Sequence, residues 1–311
     1  MKTTTLSDGR EIPIIGLGTH GIGTYLPDLD PEEITYQNIK EGARLIDTGT
    51  RYKNEEGVGA GVKRALKEGI VKRQELFIVG KVWLDGRKKP EIPLRKTLDC
   101  FGIDYIDLYL DHWPYGKEYR KGDIKDSFEA VPIYDSWKKM EDLVKKKLAK
   151  SIGVSNYSVQ CLCNLLSFCK TRPVVNEVEF HPYYYQKNLK EFCDKENIKI
   201  IAYTPLVGGI VPRTWNIEHN NEFNVFNEQI FINLAKKYTK TSGQIILNWH
   251  TRLGVIPIPC TSKDWRMREN LNATKFTMED EDFEAICNFA LNGRKKKFVV
   301  GDKYFGVNIL G

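Results

Sequence analysis

Eight times along this chain a short apolar run is followed by a longer segment with helical spacing, and few architectures can use that pattern. The runs fall at residues 14–17, 44–46, 76–79, 106–110, 151–154, 174–178, 198–202 and 254–258. The helical segments fall at 31–42, 55–68, 92–101, 134–147, 159–169, 187–195, 228–252 and 265–271. The seventh should break near 239–243, where Thr241-Ser242-Gly243-Gln244 has the form of a capping box. Strands buried on both faces read as continuous apolar runs, and strict strand–helix alternation predicts a parallel sheet. Eight repeats predict an α/β fold of the (β/α)8 TIM-barrel type. Residues 3–12 read as an N-terminal β-hairpin around Ser7-Asp8-Gly9. The length of 311 residues suits one barrel domain over 1–311, with no compositional break to mark a second. A doubly wound sheet is the alternative. Long connections at 114–132 and 204–227 leave the C-terminal ends of the fourth and seventh strands. They should form long loops at that face, with the tail at 288–311 (Phe298, Tyr304, Phe305) crossing the same mouth.

Composition narrows the function classes. At 41% hydrophobic and 28% charged the chain is globular, and no run approaches the roughly 18 apolar residues of a membrane span. Residues 1–8 lack the apolar core of a signal peptide. Seven cysteines, an odd number without a C-x-x-C pair, argue against a disulfide framework and for a reducing compartment, so a cytoplasmic protein is expected. The net charge of +6 includes basic runs at 145–147 and 294–297, which read as solvated surface. No nucleic-acid module accompanies them. A modest positive balance suits an anionic cofactor. We expect a small-molecule partner, no nucleic acid, no membrane and a monomer.

Within this frame four polar residues stand just past three consecutive strand-like runs. Asp47 follows the second run with Tyr52 five residues on, Lys81 follows the third and His112 the fourth. In a parallel barrel such positions converge on one mouth, where these enzymes do their chemistry. Each alone has a plain structural reading: Asp47 as a cap, Lys81 as surface charge, Tyr52 as packing, His112 as a core histidine. Together they suit proton delivery to a carbonyl. A phenol near its ordinary pKa of about 10 is a sluggish donor at neutral pH. An ammonium such as Lys81 favours its phenolate, a carboxylate such as Asp47 keeps the ammonium charged, and an imidazole such as His112 can hold the substrate oxygen.

Competing motifs are weaker. Gly57, Gly59 and Gly61 resemble a dinucleotide glycine loop, but position 62 is Val and the segment lies inside a helical stretch, so close helix packing is the expectation. Three Tyr-x-x-x-Lys pairs (Tyr36/Lys40, Tyr134/Lys138, Tyr183/Lys187) show how unspecific that dehydrogenase pattern is. His20, His181, His219 and His250 have no ligand spacing, so no metal is expected.

Nearly the whole chain resembles the aldo-keto reductases, close to the aldose and aldehyde reductase branch. The resemblance is carried by Ile12-Pro13-Ile14-Ile15-Gly16-Leu17-Gly18-Thr19, Asp47 through Glu55, Lys81-Val82-Trp83, His112-Trp113-Pro114 and Gly153-Val154-Ser155-Asn156-Tyr157. It continues through Asn176-Glu177-Val178-Glu179, His181-Pro182-Tyr183, Tyr203-Thr204-Pro205-Leu206 and Arg266-Met267-Arg268-Glu269-Asn270. The resemblance implies a catalytic tetrad of Asp47, Tyr52, Lys81 and His112, with Tyr52 as general acid and hydride from bound NADPH. It implies nicotinamide contacts at Ser155, Asn156 and Glu177, with Tyr203 stacking on the ring. Further cofactor contacts fall on Thr204, Leu206, Thr261, Arg266, Glu269 and Asn270, and aromatic substrate walls on Trp83 and Trp113. The implied activity is NADPH-dependent reduction of aldehydes or ketones to alcohols, with a weakly active cofactor-binding regulatory subunit as the alternative.

Three departures from the family pattern carry expectations of their own. Glu177 stands where Gln is usual; an ionised carboxylate only accepts hydrogen bonds, and its charge should favour the cationic oxidised nicotinamide. Cys260 replaces a lysine that meets the 2′-phosphate, so the NADP preference should weaken and NADH use becomes possible. His20 replaces a tryptophan, removing an aromatic wall and adding a polar group in the substrate-binding region, which should shift preference toward polar aldehydes such as small sugars.

Overall fold

The computed structural model of the chain describes residues 1–118, 127–129, 131–207 and 223–299. Its first elements are an antiparallel hairpin, β1 (Thr3–Thr5) and β2 (Glu11–Pro13), then β3 (Leu17–Gly18), α1 (Pro31–Lys40), β4 (Leu45–Asp47), α2 (Glu55–Lys67) and β5 (Phe77–Val82). They are followed by α3 (Glu91–Phe101), β6 (Ile106–Asp111), a small antiparallel pair β7 (Gly116–Glu118) and β8 (Ser127–Glu129), α4 (Ile133–Lys145) and β9 (Ala149–Ser155). The rest comprises α5 (Val159–Leu166), β10 (Val175–Glu179), α6 (Lys187–Lys195), β11 (Lys199–Tyr203), α7 (Gln229–Tyr238), α8 (Ser242–Arg252), β12 (Val255–Pro257), α9 (Asp264–Asn272) and α10 (Asp280–Asn292).

Eight strands form one parallel sheet in the order β12-β11-β10-β9-β6-β5-β4-β3. Its two edges meet, since the Gly16 and Gly18 N–H groups donate to the Pro257 and Pro259 carbonyls at 3.0 and 3.2 Å. A closed barrel has no free edge left to recruit another strand. Alternate side chains point inward: Leu45, Phe77, Val79, Leu108, Leu110, Val175, Ile201, Ile256 and Ile258 fill the interior as one buried cluster. Burying each such side chain stabilises the fold by about 1.5–3 kcal/mol. The hairpin closes the N-terminal end, where Leu6 and Ile12 join that cluster and Asp8 accepts from the Ser151 hydroxyl at 2.6 Å. The opposite, C-terminal end is left for chemistry.

Outside the barrel, helices cover the outward strand faces. The glycines of the 57–61 segment lie within α2 and bring it against its neighbours. A Cβ on Gly59 would stand 2.3 Å from the Cys100 carbonyl of α3, and one on Gly61 would stand 2.5 Å from the Glu32 carbonyl of α1. The glycines therefore serve helix packing, as expected. The break in the 228–252 segment is also present: the Thr241 hydroxyl accepts from the Gln244 N–H at 3.3 Å, and the Gln244 side chain accepts from the Thr241 N–H at 3.1 Å.

The structure departs from the sequence expectation in three places. The first barrel strand is only Leu17–Gly18, shorter than the expected 14–17, because just these two residues pair with β4 (Leu17 with Ile46, Gly18 with Asp47). The pair β7–β8 lies in a connection expected to be loop. Helix α10 was not anticipated at all, although Asp280, Glu281 and Asp282 suit the positive end of a helix dipole and Ile286, Cys287 and Ala290 form its buried face. Among the described residues no helix is long and apolar enough to cross a membrane.

Candidate active site

The C-terminal mouth holds a cavity of about 720 Å³, running from His20, Tyr52, Trp83, His112 and Trp113 at one end to Arg266, Glu269 and Asn270 at the other. Barrel geometry explains the convergence. Asp47 pairs with Val79 in register, so Lys81 stands two residues further along β5 on the same inward face. Glu177 points inward from β10, across the barrel. Tyr52 arrives on a 3-10 turn, Thr50–Tyr52, that Gly49 introduces and Lys53 ends with φ of +57°.

Lys81 is fully buried and is the hub of this floor. Its Nζ donates to Asp47 Oδ2 in a very short contact, to the Thr48 carbonyl at 3.0 Å and to the Tyr52 hydroxyl oxygen at 3.0 Å. It also lies 3.3 Å from Glu177 Oε1. Burial works against the ammonium, but Asp47, Glu177 and Tyr52 outweigh it and hold the Lys81 pKa above the ordinary lysine value. Burial, and then mutual repulsion against one shared cation, pushes Glu177 well above the ordinary carboxyl range. Asp47 is raised as well, by burial working against Lys81. Glu177 Oε2 is buried with no hydrogen-bond partner among the described residues. Two carboxyl groups therefore share one lysine, an arrangement in which a proton is readily retained.

The phenol differs from the sequence expectation. Burial raises the Tyr52 pKa above its ordinary value, and Asp47 and Glu177 add to it, so that the lowering by Lys81 is outweighed. The hydroxyl is a proton carrier at neutral pH, not a phenolate. Burial, then Lys81, His20 and Arg51, depress His112 well below the ordinary histidine range. It is a neutral imidazole with one N–H to donate. His20 is pushed down to about 4 by burial, Lys81 and Arg51, and its ring meets Tyr52 edge-on at 4.7 Å. Trp83 meets His112 edge-on at 4.9 Å, and Val299 packs against Trp83 and Trp113.

Asn156 ties three strand ends together. Held at φ of +61°, it donates to the His112 carbonyl at 3.0 Å and accepts from the Tyr203 hydroxyl at 2.8 Å. Ser155 sits behind the wall: its hydroxyl donates to the Glu177 carbonyl at 2.8 Å and accepts from Asn156. Of the seventeen residues singled out in the sequence, Lys81 and Ser155 stand behind the cavity wall; the other fifteen line it. Cys260 is exposed at the cation-bearing end, near Lys263 and Arg266. Arg51, Thr241, Ser242 and Gly243 line the cavity without having been anticipated there; Phe226 and Val299 belong to the 204–227 connection and the tail expected at the mouth, and Lys263 stands between Thr261 and Arg266, both expected at the cofactor. For Arg51, its placement beside Tyr52 was the one available signal. The tail reaches the mouth through Phe298 and Val299, whose N–H groups donate to the Glu179 carboxylate at 2.7 and 2.8 Å. Tyr304, Phe305 and His219 lie outside the described residues.

An elongated groove with an aromatic, neutral-imidazole end and a cationic end fits a dinucleotide carrying phosphates. The orphaned oxygen of Glu177 on its floor fits a partner with donors, such as a carboxamide.

Residues 14–290 match the sequence profile of the aldo/keto reductase family. A probable NAD(P)H-dependent D-xylose reductase of Aspergillus terreus is 38% identical over 305 residues, spanning 91% of this chain and 92% of its own. An NADH-dependent D-xylose reductase of Candida parapsilosis is 36% identical over 309 residues, spanning 92% of this chain and 93% of its own. The crystal structure of a Bombyx mori aldo-keto reductase in complex with NADP superposes with a TM-score of 0.87 at 30% identity, over 100% of this chain and 99% of that one.

Proposed function

The chain belongs to the aldo/keto reductase family, and on that premise we propose that it reduces aldehydes, including open-chain sugars, to alcohols with a nicotinamide cofactor. One observation carries the reading: a buried ammonium lies 3.0 Å from a phenol that lines the cavity beside a neutral imidazole. The bound cofactor would supply hydride to the carbonyl carbon. The protein's part is the proton and the positioning. Tyr52 gives its hydroxyl proton to the carbonyl oxygen, and Lys81 stabilises the phenolate left behind. Asp47 keeps Lys81 charged and in place, while His112 donates to the same oxygen. Trp83, Trp113 and His20 exclude water and hold the substrate body. Asn156, Glu177 and Tyr203 would hold the nicotinamide end, with Ser155 bracing Asn156 and Glu177 from behind. Thr204 and Leu206 would flank the middle, and Thr261, Arg266, Glu269 and Asn270 the adenosine end.

NADPH is the favoured cofactor, because Arg266 and Lys263 remain at the cationic end where Cys260 replaces a cation. The named D-xylose reductases favour turnover over the regulatory-subunit alternative. We take the protein to act as a cytoplasmic monomer, the whole chain working as one barrel. The test is steady-state oxidation of NADPH and of NADH against D-xylose and glyceraldehyde, repeated in Tyr52→Phe. Turnover lost in the variant, with cofactor binding kept, supports the assignment; undiminished turnover refutes it. Cys260→Lys should tighten NADPH more than NADH, and equal effects on both would remove the 2′-phosphate from that end of the groove.

A further inference from the structure

We propose that Glu177 keeps an exchangeable proton beside Asp47 and passes it through Lys81 to Tyr52 once the phenol has given up its own, an inference that rests on the reductase reading above. The geometry supplies an unbroken path. Glu177 Oε1 lies 3.3 Å from Lys81 Nζ, and Nζ lies 3.0 Å from the Tyr52 hydroxyl oxygen. The Asp47 and Glu177 carboxyl groups also lie within hydrogen-bonding reach of each other. Two ionised carboxylates have no proton to place between them; one retained proton turns that contact into a hydrogen bond. It also brings two carboxyl groups and one ammonium to neutrality in a buried floor, where an excess charge is costly. The other groups facing Glu177 are engaged elsewhere or do not titrate. From β9 comes Ser155, paired in register with Glu177. Tyr203, from β11, is a neutral phenol that donates to Asn156 at 2.8 Å. Glu179, two residues on along β10, is taken up by His181 and by the Phe298 and Val299 N–H groups. His112, past the end of β6, stands beyond Tyr52, ring to ring at 6.0 Å, and is neutral.

The steps balance. The Tyr52 O–H bond breaks as the carbonyl oxygen takes the proton, and the carbonyl carbon takes a hydride from the cofactor. Lys81 then gives an N–H proton to the Tyr52 oxygen and takes the Glu177 proton in its place. Tyr52 and Lys81 are restored, and Glu177 is left ionised. Glu177 lines the cavity, and its Oε2 is buried with no partner among the described residues. The charge left there therefore faces the oxidised, cationic nicotinamide that the same reaction produces, and the two offset each other. Product release and one proton from solvent reset the site. A carboxamide side chain at this position has no such proton to pass.

The experiment counts protons. NADP⁺ and NADPH are titrated calorimetrically into the cofactor-free wild type and Glu177→Gln near neutral pH, each in two buffers of different ionisation enthalpy. The difference between the two cofactors removes the titration of the phosphates they share. The wild type should release about one proton more with NADP⁺ than with NADPH, and Glu177→Gln about none. A single turnover of glyceraldehyde by an excess of NADPH-loaded enzyme is then followed with a pH indicator. The wild type should complete hydride transfer without taking a proton from solution, whereas Glu177→Gln should take up about one. Infrared spectra of the wild type need no variant: a protonated-carboxyl band of the cofactor-free protein should be lost with NADP⁺ and kept with NADPH. Equal proton counts for the two cofactors, with turnover present, overturn the inference and leave the reductase reading intact. A surplus that persists in Glu177→Gln assigns the proton to another group and likewise overturns it. Glu177-dependent release on NADP⁺ binding, without turnover of glyceraldehyde or D-xylose, sinks the reductase reading and the relay with it, and leaves only a proton site.

Discussion

Two buried charge clusters flank His112, and they are built on opposite principles. On the far side from the cavity, Arg87 donates through Nε and Nη2 to the two Asp111 oxygens at 3.0–3.1 Å. Tyr157 and Ser136 donate to the same carboxylate at 2.9 and 3.2 Å, and Arg87 also holds the Val131 carbonyl at 3.0 Å. One cation meets one anion, and each guanidinium nitrogen and each carboxylate oxygen of the pair has a hydrogen-bond partner. On the cavity side, one lysine serves two carboxyl groups and a phenol, and a Glu177 oxygen is left over. The balanced cluster behaves as scaffold: it fastens the end of β6, the turn after β5 and the base of the 114–132 connection. The unbalanced cluster holds an extra proton site where a reaction needs one. A buried network stabilises when every member is satisfied; a deliberate shortfall is a place to store reactivity.

Removing the hub of each cluster should separate these roles. In the cavity cluster, Lys81→Met should cost turnover about a hundred- to ten-thousand-fold, the span of general acid help. It should cost less stability than its burial implies, because Asp47 and Glu177, already raised, can take up protons. Pre-steady-state turnover and thermal melts, measured side by side, check both. In the scaffold cluster, Arg87→Met strands a buried carboxylate and should destabilise the fold by about 3–5 kcal/mol. Arg87→Met with Asp111→Leu should recover much of that loss in denaturant titrations. If the double variant is no better than the single, the pair is not a closed unit and the comparison fails.

Smaller effects sharpen the contrast. The raised folded pKa of Glu177 contributes stability that is present below the ordinary carboxyl value and lost as pH rises through the folded value. Glu177→Gln should therefore stabilise the cofactor-free protein progressively more from pH 5 to pH 8, with Asp47, Lys81 and Tyr52 the titrating neighbours. A stability difference flat across that window would mean that the two carboxyl groups do not share the cation. Above the pH at which Glu177 ionises, where its charge is present to be removed, the same variant should shift the ratio of NADP⁺ to NADPH dissociation constants by several-fold toward the reduced form, on the order of 1 kcal/mol. Smallest of all, Tyr157→Phe removes one of several donors to Asp111 and should cost about 1 kcal/mol of stability, with kcat nearly unmoved.

Much of this was legible in the chain. The alternation of apolar runs and helical segments carried the barrel, and strand-end position carried Asp47, Lys81 and His112. Helix α10 was legible too, in its acidic first turn and in the apolar spacing of Ile286, Cys287 and Ala290, but it lies beyond the eighth strand–helix repeat and has no strand to announce it. Other features had no local signal. Nothing near Arg87 points to Asp111, 24 residues away, or near Glu177 to Lys81, 96 residues away. Nothing near Glu179 announces that it will bind the N–H groups of Phe298 and Val299, nearly 120 residues on.

The sequence by itself determined the order and kind of the elements, because periodicity and capping act over a few neighbouring residues. It also determined which chemical groups sit at strand ends. Only the tertiary structure decided the balance of charge among them. Closing the barrel brings inward residues from β4, β5 and β10 around one lysine and removes the water that would have screened them. Protonation in that space depends on distances and burial, and on no local pattern of residues.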